Sequence, residues 1–217
     1  MCDLLVPIPA RTRLTLVTHI FEYYKPSNTG HLAVACLPHA QQILRGGKDD
    51  PPMPPLWDPS TVPLLLFPTP DAVVLTDWLA QRGPDVPPVT LIVPDGTWGQ
   101  CKRAQRRIPT LDKVQPITLP FSGPSEYRLR HAANPHQLST LEAISSAYAL
   151  LDGPEVADRL RFIFRVAVER ALFSNGRISR EQLTTPLPNG ASQHGPTQLV
   201  RNEPMEIIAD PNRLLAT

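Results

Sequence analysis

The chain has 217 residues, of which 41% are hydrophobic, so it can bury one sizeable core and is short for two full domains. Its formal net charge of +1 argues against a surface that is basic throughout. No apolar run approaches the roughly 20 residues of a membrane span, and the run near the first residue is too short for a signal peptide. The three widely spaced cysteines predict neither a disulfide framework nor a zinc site, so we expect a cytoplasmic protein.

The apolar patterns predict strands that alternate with helices along the chain. The predicted strands are residues 14–19, 63–68, 89–93 and 114–120. The predicted helices are residues 28–47 (interrupted near Pro38), 71–83, about 98–107, 139–153 and 154–176. This alternation is typical of an α/β protein with a mostly parallel sheet flanked by helices. We expect one domain over residues 1–176 and a Pro-rich tail over 177–217, in which we expect no chemistry.

The segment DGTW, residues 95–98, follows the buried strand 89–93 and opens the next helix. Asp95 and Gly96 suit a turn, Thr97 suits a helix N-cap, and Trp98 can fill a core. The carboxyl end of a parallel strand is, however, where α/β proteins bind ligands. An acid and a large aromatic at that edge are therefore also candidates for a binding site, and the pattern alone leaves both interpretations open.

The segment STLEA, residues 139–143, contains a capping box in which Ser139 is the N-cap and Glu142 is the third helical residue. Such a helix start also attracts anions, because its backbone N–H groups are free and the helix dipole favours negative charge. Capping and anion binding are compatible roles for this segment.

His19 and Glu22 are separated by three positions, but no further His or carboxylate stands near them at ligand spacing. A metal site is therefore not predicted. We expect these two side chains to orient the loop that carries Asn28 and Thr29.

Basic residues concentrate between residues 99 and 131, a stretch that contains seven Lys or Arg and only two acidic residues. In the predicted helix, Lys102 and Arg106 lie four residues apart, as do Arg103 and Arg107, so each pair lies on one side. A solvated helix face is one explanation. Because acidic partners are scarce nearby, contact with phosphate groups is favoured, and Arg128 and Arg130 extend the same patch.

Four segments together resemble the DTW-domain family of tRNA-uridine aminocarboxypropyltransferases. They are HIFEYYKPSNTGHLA, LLLFPTPDA, LIVPDGTWGQCKRA and YRLRHAANPHQLSTLEA, and their order and spacing match the family over about residues 12 to 175. The resemblance implies a SPOUT-like fold with a C-terminal trefoil knot, and transfer of the 3-amino-3-carboxypropyl group of S-adenosylmethionine (SAM) to N3 of a tRNA uridine. Members often begin with a cysteine cluster suited to zinc, whereas this chain has only Cys2 there, so no metal is predicted.

With this resemblance, the candidate residues take specific roles. Asp95 and Trp98 are the candidate catalytic residues, with Asp95 either accepting the uridine N3 proton or anchoring the amino group of SAM. The predicted SAM-binding residues are Phe67, Pro68, Val93, Asp95, Thr97, Trp98, Ser139, Thr140 and Glu142. The predicted tRNA-binding residues are Asn28, Thr29, Lys102, Arg103, Arg106, Arg107, Arg128 and Arg130.

Two other functions fit the same residues. A SAM-dependent RNA methyltransferase could use the same pocket if the sulfonium of SAM were rotated to present its methyl group to the RNA. A non-catalytic RNA-binding module would keep the basic patch but would have no working SAM pocket. A hydrolase is disfavoured because the sequence lacks a GxSxG elbow, a P-loop and a Cys/His nucleophile context. The sequence does not predict an oligomeric state.

Overall fold

The computed structural model describes residues 4–83, 87–120, 123–129 and 137–193. Its strands are β1 (Arg13–His19), β2 (Ala40–Arg45), β3 (Val62–Leu66), β4 (Val73–Val74), β5 (Val89–Asp95) and β6 (Gln115–Thr118). Its helices are α1 (Ile20–Tyr23), α2 (Gly30–Cys36), α3 (Leu75–Arg82), α4 (Trp98–Arg107), α5 (Thr140–Leu151) and α6 (Pro154–Ser174). Short 3₁₀ turns lie at Leu111–Lys113 and Arg180–Gln182.

The six described strands form one sheet in the order β2-β1-β5-β3-β6-β4. Every pairing between them is parallel, and the register places Thr18 of β1 opposite Asp95 of β5. Because parallel strands all end at one edge of the sheet, the turns after β1, β3, β5 and β6 lie beside one another. The predicted α/β architecture with a mostly parallel sheet is therefore confirmed.

Helices cover both faces of the sheet, which explains the nearly continuous apolar runs of its central strands. On one face, Leu91 of β5 packs in a core with residues of α2, α3, α5 and α6. On the other face, Ile92 packs in a smaller core with Cys101 of α4 and Ile108 just after it. Neighbouring residues of β5 thus face opposite cores, as the period of two in a strand requires.

Most predicted elements lie where the sequence places them, but the helix predicted over residues 28–47 is wrong in its second half. Helix α2 ends at Cys36, and residues 40–45 form the edge strand β2, which pairs with β1. Pro38 cannot continue a helix because it lacks a backbone N–H, and the chain resumes as a strand after it. The sheet also includes the short β4, which lies within the first residues of the predicted helix 71–83.

The segment expected to be a tail begins with residues that pack on α6. Glu169, which is buried, accepts hydrogen bonds from the backbone N–H and the hydroxyl of Thr184, both at 2.7 Å. The guanidinium of Arg180 lies 5.6 Å from the ring centre of Phe173. The described part of this segment, residues 177–193, is therefore docked, and the domain boundary at 176 stays a prediction.

Within the described ranges, no helix is both long enough and apolar enough to cross a membrane.

Candidate functional site

Asp95, the last residue of β5, is a buried carboxylate that accepts hydrogen bonds from other side chains, and it is only 4% exposed. Its Oδ2 accepts a hydrogen bond from Asn28 Nδ2 at 2.7 Å, and its Oδ1 accepts one from the hydroxyl of Thr140 at 2.6 Å. Asn28 precedes α2, and Thr140 is the first residue of α5. The carboxylate thus joins three elements where the sheet ends.

Burial raises the pKa of Asp95 above its ordinary value, because desolvation disfavours the charged form. The hydrogen bonds from Thr140 and Asn28 act in the opposite direction and stabilise the carboxylate. A carboxylate whose pKa is raised in this way is a better proton acceptor than an exposed one. This environment is typical of a functional acid in a cleft.

Gly30, the first residue of α2, lets this junction close. A Cβ at position 30 would lie 2.9 Å from Leu16 Cδ2 and 3.2 Å from Asp95 Oδ2. A side chain at position 30 would press on Leu16 and crowd Asp95, so a glycine suits this close approach of α2 to the end of β5.

An apolar cavity of about 380 Å³ opens where β3, β5 and β6 end, a size within the range of small-molecule sites. We call it the apolar cavity; its walls include Phe67, Val93, Trp98, Leu119 and Thr140. The rings of Phe67 and Trp98 lie 5.7 Å apart at an angle of 43°. Trp98 is 53% exposed, so it forms a wall of the cavity rather than part of the core.

A second cavity, the polar cavity, adjoins the first and has a volume of about 520 Å³. Its lining includes Glu22, Asn28, Asp95, Ser125 and Tyr127. Gly96, Trp98 and residues 137–140 border both cavities. A molecule in the apolar cavity would therefore lie next to a second one that approaches Asp95 through the polar cavity.

The start of α5 forms part of the wall between these cavities, and its capping box is confirmed. Ser139 Oγ accepts the N–H of Glu142 at 3.4 Å, and Glu142 Oε2 accepts the N–H of Ser139 at 2.7 Å. The carboxylate of Glu142 also accepts the hydroxyl of Ser125 and the N–H of Glu126, each at 2.7 Å. Glu142 thus holds the 123–129 segment against α5.

The structure brings most of the predicted SAM-binding residues together. Those that line the apolar cavity are Phe67, Pro68, Val93, Trp98, Ser139 and Thr140. Asp95 and Thr97 line the adjoining polar cavity, as do Asn28 and Thr29, which were predicted to contact tRNA. Glu142 lines neither cavity, because its carboxylate is directed at Ser125 and Glu126.

The predicted basic residues divide into two groups. All four cations of α4 are exposed, but Arg103 and Arg107 line a third cavity, whereas Lys102 and Arg106 do not. Arg128 is exposed beside Tyr127 of the polar cavity, and Arg130 lies outside the described residues. Since α4 begins at Trp98, the basic helix and the candidate catalytic residues are adjacent.

His19 and Glu22 do not form a metal pair in the structure. His19 Nδ1 accepts the N–H of Phe21 at 3.3 Å, and the buried Glu22 forms an ion pair with Lys25 at 2.6 Å. Asn28 Nδ2 lies 3.4 Å from the carbonyl oxygen of Glu22, which connects this turn to Asp95. Across the described ranges, no group of three or more His, Cys, Asp or Glu side chains could hold a metal ion.

Sequence reasoning missed several residues of the site. Cys101 borders the apolar cavity from α4, and burial raises the pKa of its thiol to about 12, so it stays protonated at neutral pH. The hydroxyl of Tyr127 donates a hydrogen bond to the carbonyl of Ser27, and Tyr127 lines the polar cavity. The i, i+3 position of Cys101 after Trp98 was a usable signal, and Tyr127 begins one of the four segments that carry the family resemblance.

Several known proteins are similar to this chain. Two relatives are named tRNA-uridine aminocarboxypropyltransferase 2. The one from Drosophila melanogaster is 35% identical over 98 residues, which cover 45% of this chain and 38% of that protein. The one from Macaca fascicularis is 28% identical over 151 residues, which cover 67% of this chain and 50% of that protein. The chain thus spans half or less of the length of these curated relatives.

A solved structure from Vulcanisaeta distributa, the SAM-dependent rRNA:acp-transferase Tsr3, is similar with a TM-score of 0.46 and 17% identity, over 76% of this chain and 79% of that one. The family model of the DTW domain matches the sequence over residues 1–172. That match includes the six-stranded sheet, the DGTW turn and the capping box of α5. The chain belongs to the DTW-domain family.

Proposed function

We propose that this protein is a tRNA-uridine aminocarboxypropyltransferase that moves the 3-amino-3-carboxypropyl group of SAM to N3 of a tRNA uridine and releases methylthioadenosine. Membership of the DTW-domain family and the names of the two relatives support this activity. The observation that carries it is the buried Asp95, which lines a polar cavity beside a basic helix, and this polar cavity adjoins an apolar cavity of cofactor size. We also propose that the parallel sheet is of the SPOUT-like type, with a C-terminal trefoil knot.

The apolar cavity suits SAM because its walls match the parts of that molecule. Backbone groups at the strand ends near Phe67 and Val93 would hold the adenosine, and Trp98 would pack against it. The start of α5, at Ser139 and Thr140, would hold the carboxylate mainly through the helix dipole, because the N–H groups of Leu141 and Glu142 already bond the hydroxyls of Thr29 and Ser139. SAM supplies a sulfonium with electrophilic carbons, and the residues around it decide which carbon meets the acceptor.

Asp95 is the proposed acceptor of the uridine N3 proton. The bond from N3 to the aminocarboxypropyl carbon would form as the carbon–sulfur bond breaks, and the N3 proton would pass to the Asp95 carboxylate. Asn28 and Thr140 would keep the carboxylate oriented through their hydrogen bonds at 2.7 and 2.6 Å. The raised pKa of Asp95, caused by its burial, makes it better matched to a weakly acidic imide than an exposed carboxylate.

Mass spectrometry of tRNA nucleosides tests the proposal directly. Purified protein is incubated with SAM and tRNA, the RNA is digested to nucleosides, and the small-molecule product is identified in the same reaction. We expect a nucleoside with the added aminocarboxypropyl group, together with methylthioadenosine. Formation of S-adenosylhomocysteine with a methylated nucleoside would instead identify a methyltransferase, and the absence of SAM binding by calorimetry would identify a non-catalytic RNA-binding module.

A further inference from the structure

A third cavity lies on the other face of the sheet, where β1, β2 and β5 end against α4. We call it the cationic cavity; it has a volume of about 380 Å³, and its lining includes His19, Arg45, Arg103 and Arg107. Pro94 and Cys101 border both this cavity and the apolar cavity, so the two are separated only by the end of β5 and the first turn of α4. The proposed binding of SAM does not use this space, although Arg103 and Arg107 were predicted to contact tRNA.

The arginines of the cationic cavity have N–H groups that could donate further hydrogen bonds. Neither Arg103 nor Arg107 forms a hydrogen bond or an ion pair with any residue in the described part of the chain. Arg45 donates from Nη1 to the carbonyl of Pro51 at 2.6 Å and from Nη2 toward the sulfur of Met53 at 3.1 Å, while its buried Nε has no partner among the described residues. Three guanidinium groups therefore line one cavity, and none of them forms an ion pair with another described residue.

Two acids border the same cavity, but the bonds of both are directed elsewhere. Asp50 accepts the N–H groups of Gly46 and Gly47 at 2.8 and 2.9 Å. Asp95 accepts from Asn28 and Thr140 on the side of the polar cavity. An external anion with several acceptor oxygens would satisfy the arginines, and a phosphate has the geometry that guanidinium groups bind best.

An exposed aromatic ring stands beside this cavity. Phe21 is 69% exposed, and its ring lies 5.4 Å from that of His19, which lines the cavity. Burial, followed by the nearby charge of Arg103, lowers the pKa of His19, so this ring is neutral at pH 7. A phosphate site with an exposed ring at its edge has the chemistry of a site for an unpaired nucleotide, whose base is free to stack.

We propose that the cationic cavity binds the phosphate of an unpaired tRNA nucleotide next to the modified uridine, and that the base of this nucleotide stacks on Phe21. The identity of the RNA rests on the proposed function. The position of the cavity matches this role, because Asp95 borders both the cationic and the polar cavities. A nucleotide held here would deliver its neighbour toward Asp95.

The α4 helix supplies a matched control for the test. Arg103→Gln/Arg107→Gln removes the two cations that line the cavity, and Lys102→Gln/Arg106→Gln removes an equal charge from the same helix outside it. Affinity for fluorescently labelled tRNA is measured by anisotropy at several salt concentrations. We expect the cavity pair to lower the affinity at least about tenfold more than the control pair, with a salt slope smaller by about 1.

Phe21→Ala gives the second arm, since stacking carries no charge. We expect it to lower tRNA affinity by about tenfold with an unchanged salt slope. Circular dichroism and SAM calorimetry on each variant separate a binding defect from a folding defect. Equal losses from the two charge pairs, or unchanged affinity in Phe21→Ala, would overturn the nucleotide site while leaving the proposed activity intact.

If the wild-type protein modifies no tRNA, the proposed function fails on its own terms. The cavity is then tested with a short 5′-phosphorylated oligouridylate. Binding that the cavity pair abolishes and the control pair retains would support the nucleotide site, whereas no binding by the wild-type protein would overturn it.

Discussion

Helices α4 and α5 begin with the same capping arrangement, but only that of α5 acts beyond its own helix. At α4, Gln100 Oε1 accepts the N–H of Thr97 at 2.8 Å, and its amide group bonds nothing else among the described residues. At α5, Glu142 accepts the equivalent N–H of Ser139 and also two donors of the 123–129 segment. A carboxylate has more acceptor sites than an amide oxygen. The same capping motif can therefore only cap its helix, as at α4, or also hold a neighbouring segment in place, as at α5.

Asp95 connects the two helix starts, and its replacement has the largest expected effect. Helix α4 begins three residues after Asp95, while Thr140 of α5 donates to it at 2.6 Å. In Asp95→Asn, we expect transfer to fall by about 10²- to 10⁴-fold, the usual contribution of a proton acceptor. SAM affinity, measured by calorimetry, should stay close to that of the wild type.

The same variant separates the two roles of Asp95. A matching loss of SAM affinity would show that Asp95 anchors the amino group of SAM rather than accepting the proton. Wild-type transfer in Asp95→Asn would contradict both roles.

The difference in stability between Asp95→Asn and the wild type should also depend on pH. Because burial raises the pKa of Asp95 in the folded protein, its contribution to stability is complete below the unfolded value, near 3.8, and is lost as pH rises through the folded value. A neutral Asn avoids this loss. We therefore expect the melting temperature of Asp95→Asn, relative to wild type, to be higher at pH 7.5 than at pH 4, as measured by calorimetry. An equal difference at both pH values would contradict the raised pKa.

The local signals around these helix starts explain what the sequence predicted well. The buried run of β5, the N-cap of α4, the capping box of α5 and the long apolar stripe of α6 all depend on neighbours within a few residues, and the predicted elements agree with the observed ones. Strand β2 was missed because its residues, AQQILR, are not rich in β-branched side chains and become a strand through pairing with β1.

The position of the candidate site follows from the sequence, whereas the contacts within it do not. Asp95 was a candidate because it ends a buried parallel strand, a rule that needs no knowledge of packing. Its partners Asn28 and Thr140 lie 67 and 45 residues away in sequence, so only the fold shows that they share one carboxylate. Likewise, the spacing of the α4 cations predicted two pairs, but the packing of α4 decides that Arg103 and Arg107 line a cavity.

Glu142→Ala tests whether the α5 cap stabilises the 123–129 segment as well as its own helix. The variant removes the hydrogen bonds from Ser139, Ser125 and Glu126, and we expect it to cost about 2 kcal/mol of folding free energy. For a chain of this size, this loss lowers the melting temperature by about 4 to 8 °C. Because Glu142 holds the 123–129 segment against α5, we also expect protease cleavage within this segment to accelerate.

Gln100→Ala is the matched change at α4 and should have the smallest effect. It removes the hydrogen bond that the Thr97 N–H donates to Gln100 Oε1. The Thr97 side chain can still accept the N–H of residue 100. We expect a cost of about 0.5 to 1 kcal/mol, with no faster cleavage in the 123–129 segment. Thermal melts and limited proteolysis of the two variants, run side by side, compare the caps directly. If Gln100→Ala destabilised the protein as much as Glu142→Ala, the additional bonds of Glu142 would contribute nothing to stability. The two helix starts would then differ in their hydrogen-bond partners but not in their contribution to folding.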